Sequence, residues 1–172
     1  MNAIREAARL LDRNDDIVGA AKAYEGLLAS GSAGIDDYIA LALVYWAIAD
    51  GGIGRSKGIP LDARSRAETR LLEVLAEAIQ RDPSNCEAKF WSMYCTFIMY
   101  FQPERKEIED LLDSGGHQCE GAFATMWRIS SGDTAEIQAA QAILAEPDLS
   151  KNSKGRYLAS IIDASLRSLK QA

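Results

Sequence analysis

Side chains do chemistry when a nucleophile sits beside a base, when two carboxylates are held at different pKa values, or when several ligands converge on a metal. The chain has 172 residues and one histidine, His117, with Cys119 and Glu120 close behind it after two glycines. A metal site needs more ligands in a defined geometry, so His117 reads as a solvent-exposed turn residue. With one histidine and no nucleophile elbow, a Ser/His/Asp triad has no basis. The cysteines, Cys86, Cys95 and Cys119, form an odd set without CxxC spacing. That is a poor disulfide framework, and reduced thiols packed among apolar neighbours are expected. The carboxylate pairs Asp15-Asp16, Asp36-Asp37 and Glu109-Asp113 fit helix starts and solvated faces. The chain is therefore expected to be no enzyme, with no catalytic residue, no metal and no cofactor.

Two stretches invite binding chemistry instead. GGIGRSKG, residues 51 to 58, is rich in glycine, and glycines let backbone amides face an anion. It fails the phosphate-loop pattern because Lys57 is followed by Gly58 and no buried strand precedes it. A flexible connector that forbids a helix is expected, inserted at about residues 50–65. It is nevertheless basic: Arg55, Lys57, Arg64, Arg66 and Arg70 face only Asp62 and Glu68 over residues 55 to 70. Such an excess could receive an acidic peptide. The second stretch, KFWSMYCTFIMYF at residues 89 to 101, holds six of the thirteen aromatic residues. On a helical wheel Phe90, Trp91, Tyr94, Phe97, Ile98 and Phe101 fall on one continuous arc, which Met93 and Tyr100 on one side and Cys95 on the other widen to about 220°, with Ser92, Thr96 and Met99 opposite. A one-sided surface helix shows a narrower stripe, so this helix is expected to pack on more than one side.

The elements around these stretches follow from apolar spacing of three and four residues and from the absence of alternating β-type runs. The chain is expected to be all-α, with helices near 2–12, 16–29, 36–49, 60–82, 85–101, 103–114, 118–130, 134–146 and 153–169. Ser84 with Glu87, and Asp133 with Glu136, read as capping boxes. Pro83, Pro103, Pro147 and the glycine pairs mark the breaks. At 48% hydrophobic and 26% charged the composition is that of one folded domain spanning 1–172. A formal net charge of −6 argues against nucleic acid as a partner. The charged N-terminus lacks the apolar run of a signal peptide, and no stretch of about 18 uncharged apolar residues suggests a membrane helix. The expected location is cytoplasmic.

Ala8, Ala20 and Tyr24 stand at the small, small and aromatic positions of a helix-hairpin repeat of about 34 residues. One period on, Ile4, Ala7, Ala8 and Leu11 become Tyr38, Leu41, Ala42 and Tyr45. AEAIQRDPSN, with Ala78, Asp82, Pro83 and Asn85, is similar to the end of such a unit. Over about residues 2–101 the chain resembles the tetratricopeptide repeat family. Pro83 falls 17 residues later than an uninterrupted second repeat would place it, and the helix pairs after Asn85 lose the signature spacing. The resemblance implies stacked antiparallel helix hairpins in a superhelix, closed by a C-terminal capping helix, with a concave groove that binds a protein or peptide. Some members clamp a peptide carboxylate with cations where Arg5 and Arg9 stand, but Ala40, Glu87 and Trp91 do not continue that clamp.

The expected function is a non-catalytic binding scaffold or adaptor, acting as a monomer or homodimer. Arg5, Arg9, Tyr38, Tyr45, Ser92 and Thr96 are the groove candidates, and Arg55, Lys57, Arg64 and Arg66 the basic-loop candidates. The alternatives are a dedicated chaperone or immunity-type inhibitor of one partner, and an anion-binding or enzymatic subunit using residues 51–70.

Overall fold

The computed structural model describes residues 3–171. Among them there are α-helices and no strand: α1 (Ala3–Arg13), α2 (Ile17–Ala29), α3 (Ile35–Ala49), α4 (Ile53–Ser56), α5 (Leu61–Arg81), α6 (Cys86–Tyr100), α7 (Arg105–Ser114), α8 (Ala122–Ser130), α9 (Ile137–Leu144) and α10 (Ser153–Leu169). Consecutive long helices pack on one another through α7, skipping the one-turn α4, and α8 packs on α9. The small residues expected at helix crossings are fully buried, Ala8 on α1, Ala20 on α2 and Ala42 on α3. No helix among the described residues is long and apolar enough to cross a membrane.

The glycine-rich segment is more ordered than its composition predicts. Asp50 accepts hydrogen bonds from the backbone N–H of Gly52 (2.8 Å) and Ile53 (2.6 Å) and so starts the one-turn α4. Gly54 is buried, and a Cβ there would lie 2.1 Å from the Ile48 carbonyl oxygen. Glycine here serves close packing of α4 on the end of α3. Lys57 then reaches back 42 residues, donating to the Asp15 carbonyl at 3.0 Å and ion-pairing with its carboxylate. The segment is anchored at both ends and is not a free connector.

The caps also differ in register. Asn85, one residue after the expected Ser84, accepts from Ala88 N–H at 2.9 Å to start α6. Ser84 turns back to Asp82, and Glu87 accepts from Trp91 Nε1 at 3.0 Å. Asp133 caps a short 3-10 turn through Ala135 N–H, while Glu136 accepts from Thr125 Oγ1 at 3.0 Å. Short acidic and hydroxyl side chains can serve either as caps or as partners of neighbouring helices, and packing decides between them.

The aromatic helix is half as expected. Phe90, Trp91, Tyr94 and Cys95 are buried, and the rings of Phe90, Trp91 and Tyr94 meet Phe123, Trp127 and Tyr157 tilted or edge-on at centroid distances of 5.0–6.4 Å. The last turn is only partly covered: Ile98, Tyr100 and Phe101 are exposed, while Phe97 and Met99 stay half-buried.

Helix α10 is more than a terminal cap. It packs on α8 and α9, and also on α3. The Tyr157 ring sits 5.6 Å from Trp46 and 6.2 Å from Trp91, and its hydroxyl is 2.8 Å from that of Tyr94. At the start of α10, Ser153 donates to Asp12 Oδ1 through its N–H (2.9 Å) and hydroxyl (2.6 Å), and Arg156 Nη2 donates to the same oxygen at 3.0 Å. Asp12 is 1% exposed, so its charge is desolvated and held by these donors. Lys154 ion-pairs with Glu87. The last helix is thus tied to the first and laid across α3 and α6.

Cys86 and Cys119 are disulfide-bonded, with Cα atoms 5.2 Å apart, while Cys95 is a buried free thiol. This corrects the expectation of three reduced thiols: odd number and irregular spacing said nothing of how α6 meets the turn after α7. The bond closes a separation of 33 residues, worth about 3–4 kcal/mol in chain entropy. Reduction, or Cys119→Ser, is expected to lower the midpoint of thermal unfolding by about 10 °C. Iodoacetamide should label none of the cysteines in the native, unreduced protein, and labelling of Cys86 or Cys119 would disprove the bond.

Candidate functional site

An open, apolar-lined cleft of about 540 Å³ lies between α2, α3 and α5. Its floor is Val18 and Ala21 from α2, Ile48 from α3, Ile59 from the connector, and Ala63 and Ala67 from α5. Spacings of three and four residues put Lys22 and Glu25 on the facing side of α2, and Arg66 and Arg70 on that of α5. Tyr45 reaches the same cleft from α3.

A polar cluster closes one end. Arg70 donates to both Glu25 oxygens, from Nε at 2.8 Å and Nη2 at 3.1 Å. It also donates from Nη1 to Glu77 at 2.7 Å and Glu73 at 3.2 Å. Tyr45 donates its hydroxyl to Glu25 Oε1 at 2.9 Å. Burial alone would raise the Glu25 pKa, but the hydrogen bonds from Arg70 and Tyr45 outweigh it and hold the carboxyl below the usual range. Burial, then the bond to Glu25, pushes the Tyr45 hydroxyl up, and Glu25 first among its partners raises Arg70. Tyr45 is therefore neutral and Glu25 ionised at neutral pH. A depressed carboxyl pKa means that this part of the stability is present above pH about 4.3 and fades as the pH falls further. The cluster is a fixed wall with its hydrogen bonds made. Lys22 has no ion-pair partner among the described residues, and Arg66 is paired only with the exposed Asp62 one turn away.

The structure therefore brings together Tyr45 and Arg66, which sequence reasoning had assigned to two separate sets, and adds Lys22 and Glu25, which it had missed. No motif marks these two; only the packing of α2 on α3 and of α3 on α5 places them opposite Arg66. The remaining candidates are dispersed. Arg5 donates to both Asp37 oxygens at 3.0 and 3.1 Å and to the Ser32 carbonyl at 2.8 Å, bracing the start of α3. Arg9 is exposed, 3.7 Å from Glu6. Arg5 and Arg9 border a shallow basin that also contains Glu6, Asp36 and Asp37, acids that offset a carboxylate clamp. Tyr38 is 1% exposed, beneath the Arg81 guanidinium at 5.1 Å; it belongs to the core and offers no groove surface. Ser92 and Thr96 are half-buried, and Thr96 donates to the Ser92 carbonyl at 2.7 Å.

Of the basic-loop residues, Lys57 is engaged with Asp15, Arg55 is exposed, and Arg64 packs against Gly54 with a buried Nε that has no partner. They do not converge on one anion site. His117 stands in a 3-10 turn with its side chain 96% exposed, Nδ1 3.0 Å from Glu120. Among the described residues no cluster of three or more His, Cys, Asp or Glu is arranged to hold a metal.

No family model, no curated protein and no solved structure matches the chain.

Proposed function

We propose that the chain is a non-catalytic scaffold of tetratricopeptide-like helix pairs that binds an acidic, partly apolar peptide segment of another protein. The observation that carries this reading is the cleft between α2, α3 and α5. It has an apolar floor, and its cations, Lys22 and Arg66, are not consumed by the polar cluster at its end. The concave groove that the family resemblance implies is a weaker candidate, since α10 lies across α3 and α6 through Tyr157. Disulfides persist mainly in oxidising compartments, so the Cys86–Cys119 bond weighs against a cytoplasmic setting.

The test is affinity capture with the wild-type chain and with the Lys22→Glu/Arg66→Glu variant as paired baits. Direct titration of each protein lost by the variant then follows. Reversing both rim charges is expected to weaken binding at least tenfold while leaving the unfolding midpoint within about 2 °C, since neither side chain supports the core. Identical capture by both baits would end this assignment of the cleft.

A further inference from the structure

A second cavity, of about 330 Å³, lies among α1, α2, α3 and the start of α10, and charges of both signs line it. The cations are Arg9, Arg13 and Lys154, and the acids are Asp12, Asp36 and Asp37. Four of the six are already engaged. Asp12 is held by Arg156 and Asp37 by Arg5, Lys154 pairs with Glu87, and Arg9 lies 3.7 Å from Glu6. Asp148, whose carboxylate also feels Arg13, is taken by Lys151. Arg13 and Asp36 remain, one of each sign. Neither has an ion-pair partner among the described residues, and although both line the cavity they do not pair with each other.

Two buried polar groups in the same wall have hydrogen-bonding capacity to spare. Tyr24 is 2% exposed and lines the cavity, yet its hydroxyl makes no hydrogen bond with a described residue. Burial raises its pKa to about 12, and the charges acting on it are those of Asp12, Arg9, Asp37 and Arg13, all in the cavity wall. The hydroxyl therefore faces the cavity and keeps its proton at neutral pH. Asp12 is 1% exposed, and the three donors that reach its carboxylate all bond to Oδ1. Its Oδ2 accepts from no described residue. Asn152, also in the wall, spends its Oδ1 on Gly155 N–H at 2.8 Å and keeps its amide donors free. Native folds leave few buried polar atoms unpaired, and two at one cavity point to an occupant. An anion alone would face Asp36 unanswered, and a cation alone would face Arg13. A molecule carrying both signs answers both, and the volume, at the small end of ligand sites, asks for a small one.

We infer that this cavity binds a free α-amino acid as its zwitterion. Arg13, the Asn152 amide and the Tyr24 hydroxyl donate to the carboxylate, while Asp36 and Asp12 Oδ2 accept from the ammonium. Tyr24 and Lys22, two residues apart, lie on opposite faces of α2, so the site is separate from the cleft and does not depend on it. The test is titration calorimetry of the full-length chain with glycine, L-serine and L-leucine, each alone. Acetate, methylamine and glycerol serve as probes with one charge or none. At least one amino acid is expected to bind one to one, at least tenfold more tightly than any of these three. Tyr24→Phe should weaken that binding at least threefold and leave the thermal midpoint unchanged or higher, because the hydroxyl supports nothing in the fold. Arg13→Gln and Asp36→Asn should each weaken it at least tenfold, and Lys22→Glu should have no effect. Binding of none of the three amino acids would overturn the inference and leave ordered water as the occupant. A single-charge probe or glycerol binding as tightly as the best amino acid would also overturn it. So would wild-type affinity in Tyr24→Phe, or a lower midpoint, which would show the hydroxyl bonded within the fold.

Discussion

Trp91→Ala is expected to lower the stability of the fold by about 3–5 kcal/mol, against about 5–15 kcal/mol for a whole domain. Trp91 is fully buried. Its indole meets Phe90 at 5.3 Å, Tyr94 at 5.7 Å and Tyr157 of α10 at 6.2 Å, and its Nε1 donates to Glu87. Truncation removes contacts to two helices at once and leaves a cavity that rigid neighbours cannot fill. The reference is Phe101→Ala, ten residues along the same segment, whose cost should stay within about 0.5 kcal/mol because the ring is in water. Urea unfolding followed by circular dichroism measures both. A Trp91→Ala loss below about 1 kcal/mol would mean that α6 is not enclosed as described.

Arg156→Met is expected to cost about 3 kcal/mol, at the lower end of what breaking a buried ion pair costs. The reason is the carboxylate left behind. Asp12 is 1% exposed, and without Arg156 it keeps the two donors of Ser153 but no cation on its carboxylate. Adding Asp12→Asn in the same chain removes that stranded charge and should restore most of the loss, which a simple packing defect would not allow. The thermal midpoint should fall by about 6–12 °C in the single variant and recover in the double. Equal losses in both would place the effect in the methylene packing of Arg156 and not in its charge.

Most helices were legible because each is an uninterrupted run of three- and four-residue apolar spacing between strong breaks. Ala8, Ala20 and Ala42, read as the small positions of the repeat pattern, are fully buried. The misses share a cause. Asn85 and Ser84 are both good caps, and only the helix pairing chooses between them. The one-turn α4 depends on Asp50 folding back over Gly52, a local bond that four glycines conceal. Cys86 with Cys119, Asp12 with Arg156, and Lys22 opposite Arg66 are separated by between 33 and 144 residues. Periodicity reports which face of a helix is apolar, not which other helix covers it, and the cleft exists only through that second fact. The exposure of Ile98 and Phe101 escapes the wheel for the same reason: both fit an apolar arc, and the arc does not say how far along the helix the covering extends.

The tie between Asp12 and α10 has a consequence for how the chain is made. In a simple stacked array each unit touches only its neighbours, so the first hairpins can settle as soon as they leave the ribosome. Here Ser153 trails Asp12 by 141 residues, and at about 5–20 residues per second the first helix waits about 7–28 s for its partner to be synthesised. During that interval Trp46, Trp91 and Tyr94 have no Tyr157 to cover them. The nascent protein therefore carries an uncovered aromatic face until Tyr157 is made, and a ribosome stalled before residue 153 would hold a chain that attracts chaperones.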